Sequence, residues 1–184
     1  MIEPLLAAEP VSTPRLSLLP LRVEHAEEMA AVLGDPALHT FIGGTPYSPE
    51  ALRTRYERLV AGSPDPDVRW CNWVLRPRAE NCLVGTVQAT ITRGRAGPGR
   101  DTAGPGHTAE IAWMVGTPWQ GRGFASEAAR ALVEWLGKRS VRTVIAHIHP
   151  EHLASASVAT AAGLAPTAEE QDGERRWRLD LGGQ

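Results

Sequence analysis

"EIAWMVGTPWQGRGFASEAARALVEWL", Glu110 to Leu136, decides how this chain is read. The apolar run up to Val115 reads as a strand and Gly116 to Pro118 as a turn. From Gly123 onward strong helix formers place Phe124, Ala128, Leu132 and Trp135 on one face. The junction between strand and helix holds Gln120, Gly121, Arg122, Gly123, Phe124 and Ala125. Glycines at such a junction let backbone N–H groups come close to a ligand, and the orphan donors and dipole of a helix start favour an anion such as a pyrophosphate. Arg122 adds a cation beside it.

Outward from this unit the pattern alternates between periods of two and of 3.6. Toward the N-terminus, "RLSLLPL" (Arg15 to Leu21) reads as a strand. Ala26, Met29, Ala30 and Leu33 lie at helical spacing, with Gly34 as the stop. Ser48 and Pro49 announce a second helix carrying Leu52, Tyr56, Leu59 and Val60 on one face, ended by Gly62. "WCNWVL" (Trp70 to Leu75) and "LVGTVQATI" (Leu83 to Ile91) form a hairpin, and the Gly/Pro-rich stretch from Arg93 to His107 is a flexible loop. On the C-terminal side "VRTVIAHIH" is a strand, "LASASVATAAG" a short helix closed by Gly163, and "ERRWRLDL" a terminal strand. This order predicts an α+β (mixed α/β) fold, a mixed sheet of about six to seven strands flanked by about four helices. A single domain covers residues 1–184, with 1–14 as an irregular lead-in.

Composition narrows the function classes. With 184 residues, 22% of them charged, and a net charge of −2, the chain has no footprint for nucleic acid or an anionic membrane surface. No signal peptide or membrane-spanning run is legible, so the protein is expected in the cytoplasm. Cys71 and Cys82, the only two cysteines, lie in apolar, strand-like surroundings and read as reduced core thiols.

The junction discriminates between phosphate-binding loops. No Lys-Ser or Lys-Thr pair follows the glycines, which excludes the P-loop, and Ser126 stands where the dinucleotide fingerprint needs its third glycine. Gln120, Gly123 and Ala125 do match Q-x-x-G-x-A. Here the chain resembles the GNAT superfamily of acyl-CoA-dependent N-acyltransferases, whose signature is [RQ]-x-x-G-x-[GA]. "TPRLSLLPL", "LVGTVQATI" and "HPEHLASASVATAAGL" follow the order and spacing of the branch that includes the ribosomal-protein N-terminal alanine acetyltransferases.

The resemblance implies a sheet that splays open beside its fourth strand, with acetyl-CoA as co-substrate, no metal and an amine acceptor. It places the pantetheine along Trp113, Met114 and Val115, and the pyrophosphate on Gln120, Gly121, Arg122, Gly123, Phe124, Ala125 and Ser126. His152 stands where the family commonly has asparagine, Ser155 at the matching serine, and Ala159 where many relatives carry a tyrosine. The pantetheine contact would then come from an imidazole, and the proton for the departing thiolate from Ser155. Glu110 falls where related enzymes often place a glutamate, as base and substrate contact, and the Val115 N–H is a fixed donor for the oxyanion. Trp73 and Gln88, with Trp70, Asn72 and Thr90, are candidates for the acceptor wall. The acceptor stays open between a peptide N-terminus and a small-molecule amine, and a homodimer rests on the resemblance alone.

Two further readings compete. A non-catalytic CoA-binding module accommodates the changes at His152 and Ala159. "HIHPEH" (His147 to His152) resembles the H-x-H-x-x-H of metallo-β-lactamase-type hydrolases, with His147, His149 and His152 as ligands. Those enzymes need further histidine ligands downstream, and no histidine follows His152.

Overall fold

The computed structural model describes residues 6–94 and 106–182. Twelve elements follow in chain order. The strands are β1 (Val11–Ser12), β2 (Leu16–Pro20), β3 (Val68–Pro77), β4 (Gly85–Arg93), β5 (His107–Val115), β6 (Val141–Ile148), β7 (Ala165–Gln171) and β8 (Glu174–Asp180). The helices are α1 (Ala26–Val32), α2 (Pro49–Ala61), α3 (Phe124–Gly137) and α4 (Leu153–Ala161). The eight strands form one sheet in the order β1-β2-β3-β4-β5-β6-β8-β7, antiparallel except for the β5–β6 pair.

Local chemistry accounts for the helix ends. Ser48 accepts a hydrogen bond from the Ala51 N–H at 3.1 Å and Pro49 opens α2, while Gly62 closes it at φ +91°. Gly163, at φ +94°, closes α4 in the same way. One face of the sheet buries Trp73, Val87, Ile111 and Val144 against Phe124, Leu132 and Leu136 of α3. Trp73 and Trp135 meet edge to face at 5.1 Å. The other face buries Val74 and Leu83 against Ala26 and Met29 of α1 and Leu52 and Tyr56 of α2.

The sheet is larger than the sequence pattern indicates. Ser12 and Val11, inside the expected irregular lead-in, pair with Ser17 and Leu18. Glu9 in the same segment accepts a 2.7 Å hydrogen bond on its carbonyl from Trp73 Nε1. β7 is an edge strand of mostly exposed polar residues with no alternation to betray it. Residues 95–105 of the expected flexible loop lie outside the described residues, while its ends, Arg93 and His107, are paired strand residues. Among the described residues no helix is long and apolar enough to cross a membrane.

Candidate active site

A split in the sheet makes the site. β5 and β6 pair from His107 with Val141 as far as Glu110 with Ile145, and then separate. Between them opens a cleft of about 670 Å³, lined by residues 111–115 on one side, 146–149 on the other, and the starts of α3 and α4. The Gly116 N–H donates to the carbonyl of Val84, the residue before β4, at 2.8 Å. Strand alternation therefore turns the Val115 N–H and C=O away from β4, toward the cleft. Gln120 Nε2 donates to that Val115 carbonyl at 3.0 Å, so the signature glutamine serves the strand end and leaves the Val115 N–H facing the cleft.

The turn into α3 presents a set of backbone donors. Gly121 and Gly123 adopt φ +75° and +80°, conformations that side chains with a Cβ rarely reach. Gly123 sits at the N-cap without a side-chain cap, and the first helical bond of this turn runs from the Glu127 N–H to the Gly123 carbonyl. The amides of Phe124, Ala125 and Ser126 thus have no acceptor within the helix. Behind them, Glu127 accepts from the Thr13 hydroxyl at 2.6 Å, from the Arg15 N–H at 2.8 Å and from Arg15 Nε at 2.7 Å. Burial alone would raise the Glu127 carboxyl, but these hydrogen bonds outweigh it and hold its pKa below the usual carboxylate range. Arg15 also donates to the Arg122 carbonyl at 2.8 Å, and the guanidiniums of Arg15 and Arg122 both lie 4.9 Å from the Phe124 ring centroid. Arg122 itself pairs with Glu80 at 2.5 Å and does not line the cleft.

Glu110 stands where the strands part, at the rim of the cleft and outside its lining. Its Oε1 lies 2.8 Å from His147 Nδ1, and Arg176 Nε donates to His147 Nε2 at 3.3 Å. With Nε2 facing the Arg176 donor, Nδ1 is the ring nitrogen turned to the Glu110 carboxylate. Arg176 is in turn held by Glu169 at 2.5 Å. The sequence pointed to Glu110 and His147 separately. That they are partners follows from the parallel register, and Arg176 gave no local signal.

At the start of α4, Ser155 Oγ and His152 Nε2 are 3.4 Å apart and both line the cleft. Phe41 stacks on the His152 ring at 4.5 Å and 15°, and tilts against His149 at 5.1 Å. Burial first, and the neighbouring His149 second, lower the His152 pKa and favour the neutral ring. His149 Nδ1 accepts from the Glu151 N–H at 3.1 Å. The three histidines thus have three different sets of partners, and among the described residues no cluster of three or more His, Cys, Asp or Glu side chains is placed to hold a metal ion. Ala159 is fully buried.

A second cleft of about 430 Å³ lies against the other face of the split. Asn72, Trp73, Thr86 and Gln88 contribute sheet residues to it, while Trp70 and Thr90 do not line it. Trp73 shows only an edge there, being 1% exposed. Ile42, Ala112, Trp113 and Met114 line both clefts, so the two cavities meet across β5. Ile42 and Phe41 come from the "FIGG" turn after α1, whose exposed apolar residues beside paired glycines were the available signal. Neither cysteine is primed as a nucleophile. Burial pushes the Cys71 thiol up to about 11, and burial followed by the Glu80 charge raises Cys82.

Comparison with known proteins agrees with this geometry. Residues 15–165 match the family profile of an acetyltransferase (GNAT) domain. An N-acetyltransferase of Bacillus subtilis (strain 168), YnaD, whose role is uncharacterized, is 32% identical over 88 residues, 47% of this chain and 45% of that protein. The matched region thus spans about half the length of that curated relative. A GNAT-family acetyltransferase from Bacillus anthracis superposes with a TM-score of 0.69 at 19% identity, over 94% of this chain and 99% of its own. The ribosomal L7/L12 alpha-N-protein acetyltransferase RimL, solved in complex with coenzyme A, gives 0.69 at 16% identity over 94% and 98%. At these identities the two structures speak for the fold.

Proposed function

The chain belongs to the GNAT acetyltransferase family, and from that premise we propose that it transfers an acetyl or other small acyl group from acyl-CoA to a primary amine, within one domain and in the cytoplasm. The observation that carries the proposal is the open edge of β5 beyond Glu110, which leads through Val115 into the uncapped start of α3. An extended arm finds backbone to pair with there, and a pyrophosphate finds amides with no other acceptor. Acetyl-CoA fits this donor set, and when bound it supplies the thioester carbonyl that the amine attacks.

The residues divide the work as follows. Glu110 takes the proton leaving the attacking nitrogen, directly or through a water. His147 occupies one carboxylate oxygen and leaves the other for that proton. The Val115 N–H, its strand end fixed by Gln120, stabilises the oxyanion. Ser155 donates the proton to the thiolate, with neutral His152 alongside to orient the hydroxyl. The raised Cys71 and Cys82 thiols favour direct attack over a cysteine-bound intermediate. An assay of free thiol, with acetyl-CoA and an amine-bearing peptide, tests the whole. Thiol release that requires the amine supports it; no release with any amine, while acetyl-CoA still binds, contradicts it.

A further inference from the structure

The second cleft carries information about the acceptor. Its lining is largely apolar and aromatic, and two of those residues, Ile42 and Tyr47, are 55% and 48% exposed. The lining contains no Asp or Glu. Arg55, 5.6 Å from the Tyr47 ring centroid, is its one arginine or lysine. The sheet contributes the neutral hydrogen-bonding groups of Asn72, Thr86 and Gln88, and the α1–α2 connection adds His39, Thr45 and Tyr47. Tyr56 also lines the cleft, and its buried hydroxyl has no hydrogen-bond partner among the described residues. Burial pushes the Tyr56 phenol up to about 12, so that hydroxyl remains a donor at any working pH.

We propose that this cleft selects an acceptor with a single amine, an apolar or aromatic body, and a carbonyl or carboxylate oxygen, and that it rejects polycationic amines. This rests on the acyltransferase assignment above. A second ammonium entering the cleft would meet Arg55 and no carboxylate, since Glu110 at the rim serves the reacting nitrogen. An apolar body covers Ile42 and Tyr47 and gains from their removal from water. An acceptor oxygen takes the hydrogen bond that the Tyr56 hydroxyl lacks, with Arg55 beside it to favour negative charge. An α-aminoacyl group with an apolar side chain meets all three demands. It occurs at a peptide N-terminus and in a free amino acid.

The test is the thiol-release assay on the full chain with four acceptors: phenylalanine, phenylalaninamide, a tripeptide beginning with phenylalanine, and spermidine. The expected result is kcat/KM at least tenfold higher for the best phenylalanine compound than for spermidine. Tyr56→Phe should raise the acceptor KM about three- to tenfold with kcat nearly unchanged, and a merely structural role for the hydroxyl would not move KM. Arg55→Gln separates the two sources. A loss confined to free phenylalanine identifies a carboxylate at Arg55, and an equal loss for amide and tripeptide identifies a carbonyl. Spermidine as the best substrate, or a Tyr56→Phe enzyme with unaltered KM for every acceptor, overturns the proposal and leaves the acyltransferase assignment standing. Acetyl-CoA that fails to bind removes both.

Discussion

The two clefts that meet across β5 are built from different materials. The cleft proposed for acetyl-CoA is backbone: the open edge of β5, the left-handed Gly121 and Gly123, and the free amides of α3, braced from behind by Thr13, Arg15 and Glu127. The cleft proposed for the acceptor is side chains from separate segments, with Ile42 and Tyr47 from the α1–α2 connection, Tyr56 from α2, and Asn72 and Gln88 from the hairpin. A backbone site changes little when side chains vary, provided its glycines stay. A side-chain site can be respecified by single substitutions. On the proposed assignment the acetyl-CoA chemistry sits on the first and the selectivity for the amine on the second.

Substitutions on each side sharpen the contrast. The largest expected effect is at their junction: Glu110→Gln should lower kcat about a hundredfold or more while leaving acetyl-CoA affinity unchanged, a split read by steady-state kinetics beside calorimetry. Equal losses in both quantities would mean that Glu110 organises the cleft and is not the base. Ser155→Ala should lower kcat by about tenfold or more, least with acyl donors whose thiolate leaves easily.

Smaller effects probe the supports. Phe41→Ala removes the stack on His152 and should weaken acetyl-CoA binding by about threefold, the worth of one aromatic contact. Glu127→Gln tests the brace through pH. The folded-state pKa of Glu127 is depressed, so its ionised form stabilises the fold above the unfolded value of about 4.3. That contribution is lost as the pH falls through the folded value. Thermal melts of wild type and variant should therefore differ at neutral pH and converge in acid. A gap that persists in acid would mean that Glu127 acts through packing.

How much of this was legible in the sequence follows the same division. The strand, the glycine turn and α3 are local, and their period and glycine pattern set the fold class and the uncapped helix start directly. β7 was not legible because "APTAEEQ" is an exposed edge without alternation, and β1 because two residues carry no period. Glu110 and His147 stood out individually, yet their 2.8 Å pairing depends on the register of two strands 37 positions apart in the chain. "HIHPEH" suggested metal ligation because local spacing cannot reveal that His147 turns to Glu110 while His152 turns to Ser155 and Phe41. The second cleft was only partly visible. Gln88 and Trp73 were apparent on their strands, but Tyr56 read as one position on the apolar face of a helix, and Arg55 had no visible role.

Calorimetric titration of acetyl-CoA into the wild-type protein and into Gly123→Val tests the central claim most directly. At φ +80° a β-branched residue is strained, and its Cβ would come within 3.1 Å of Arg15 Nη2, the side chain that braces this turn. Saturable binding to the wild type that weakens at least tenfold in the folded variant is the predicted result. Undiminished binding in the variant, or no binding in the wild type, would contradict the assignment of the backbone cradle.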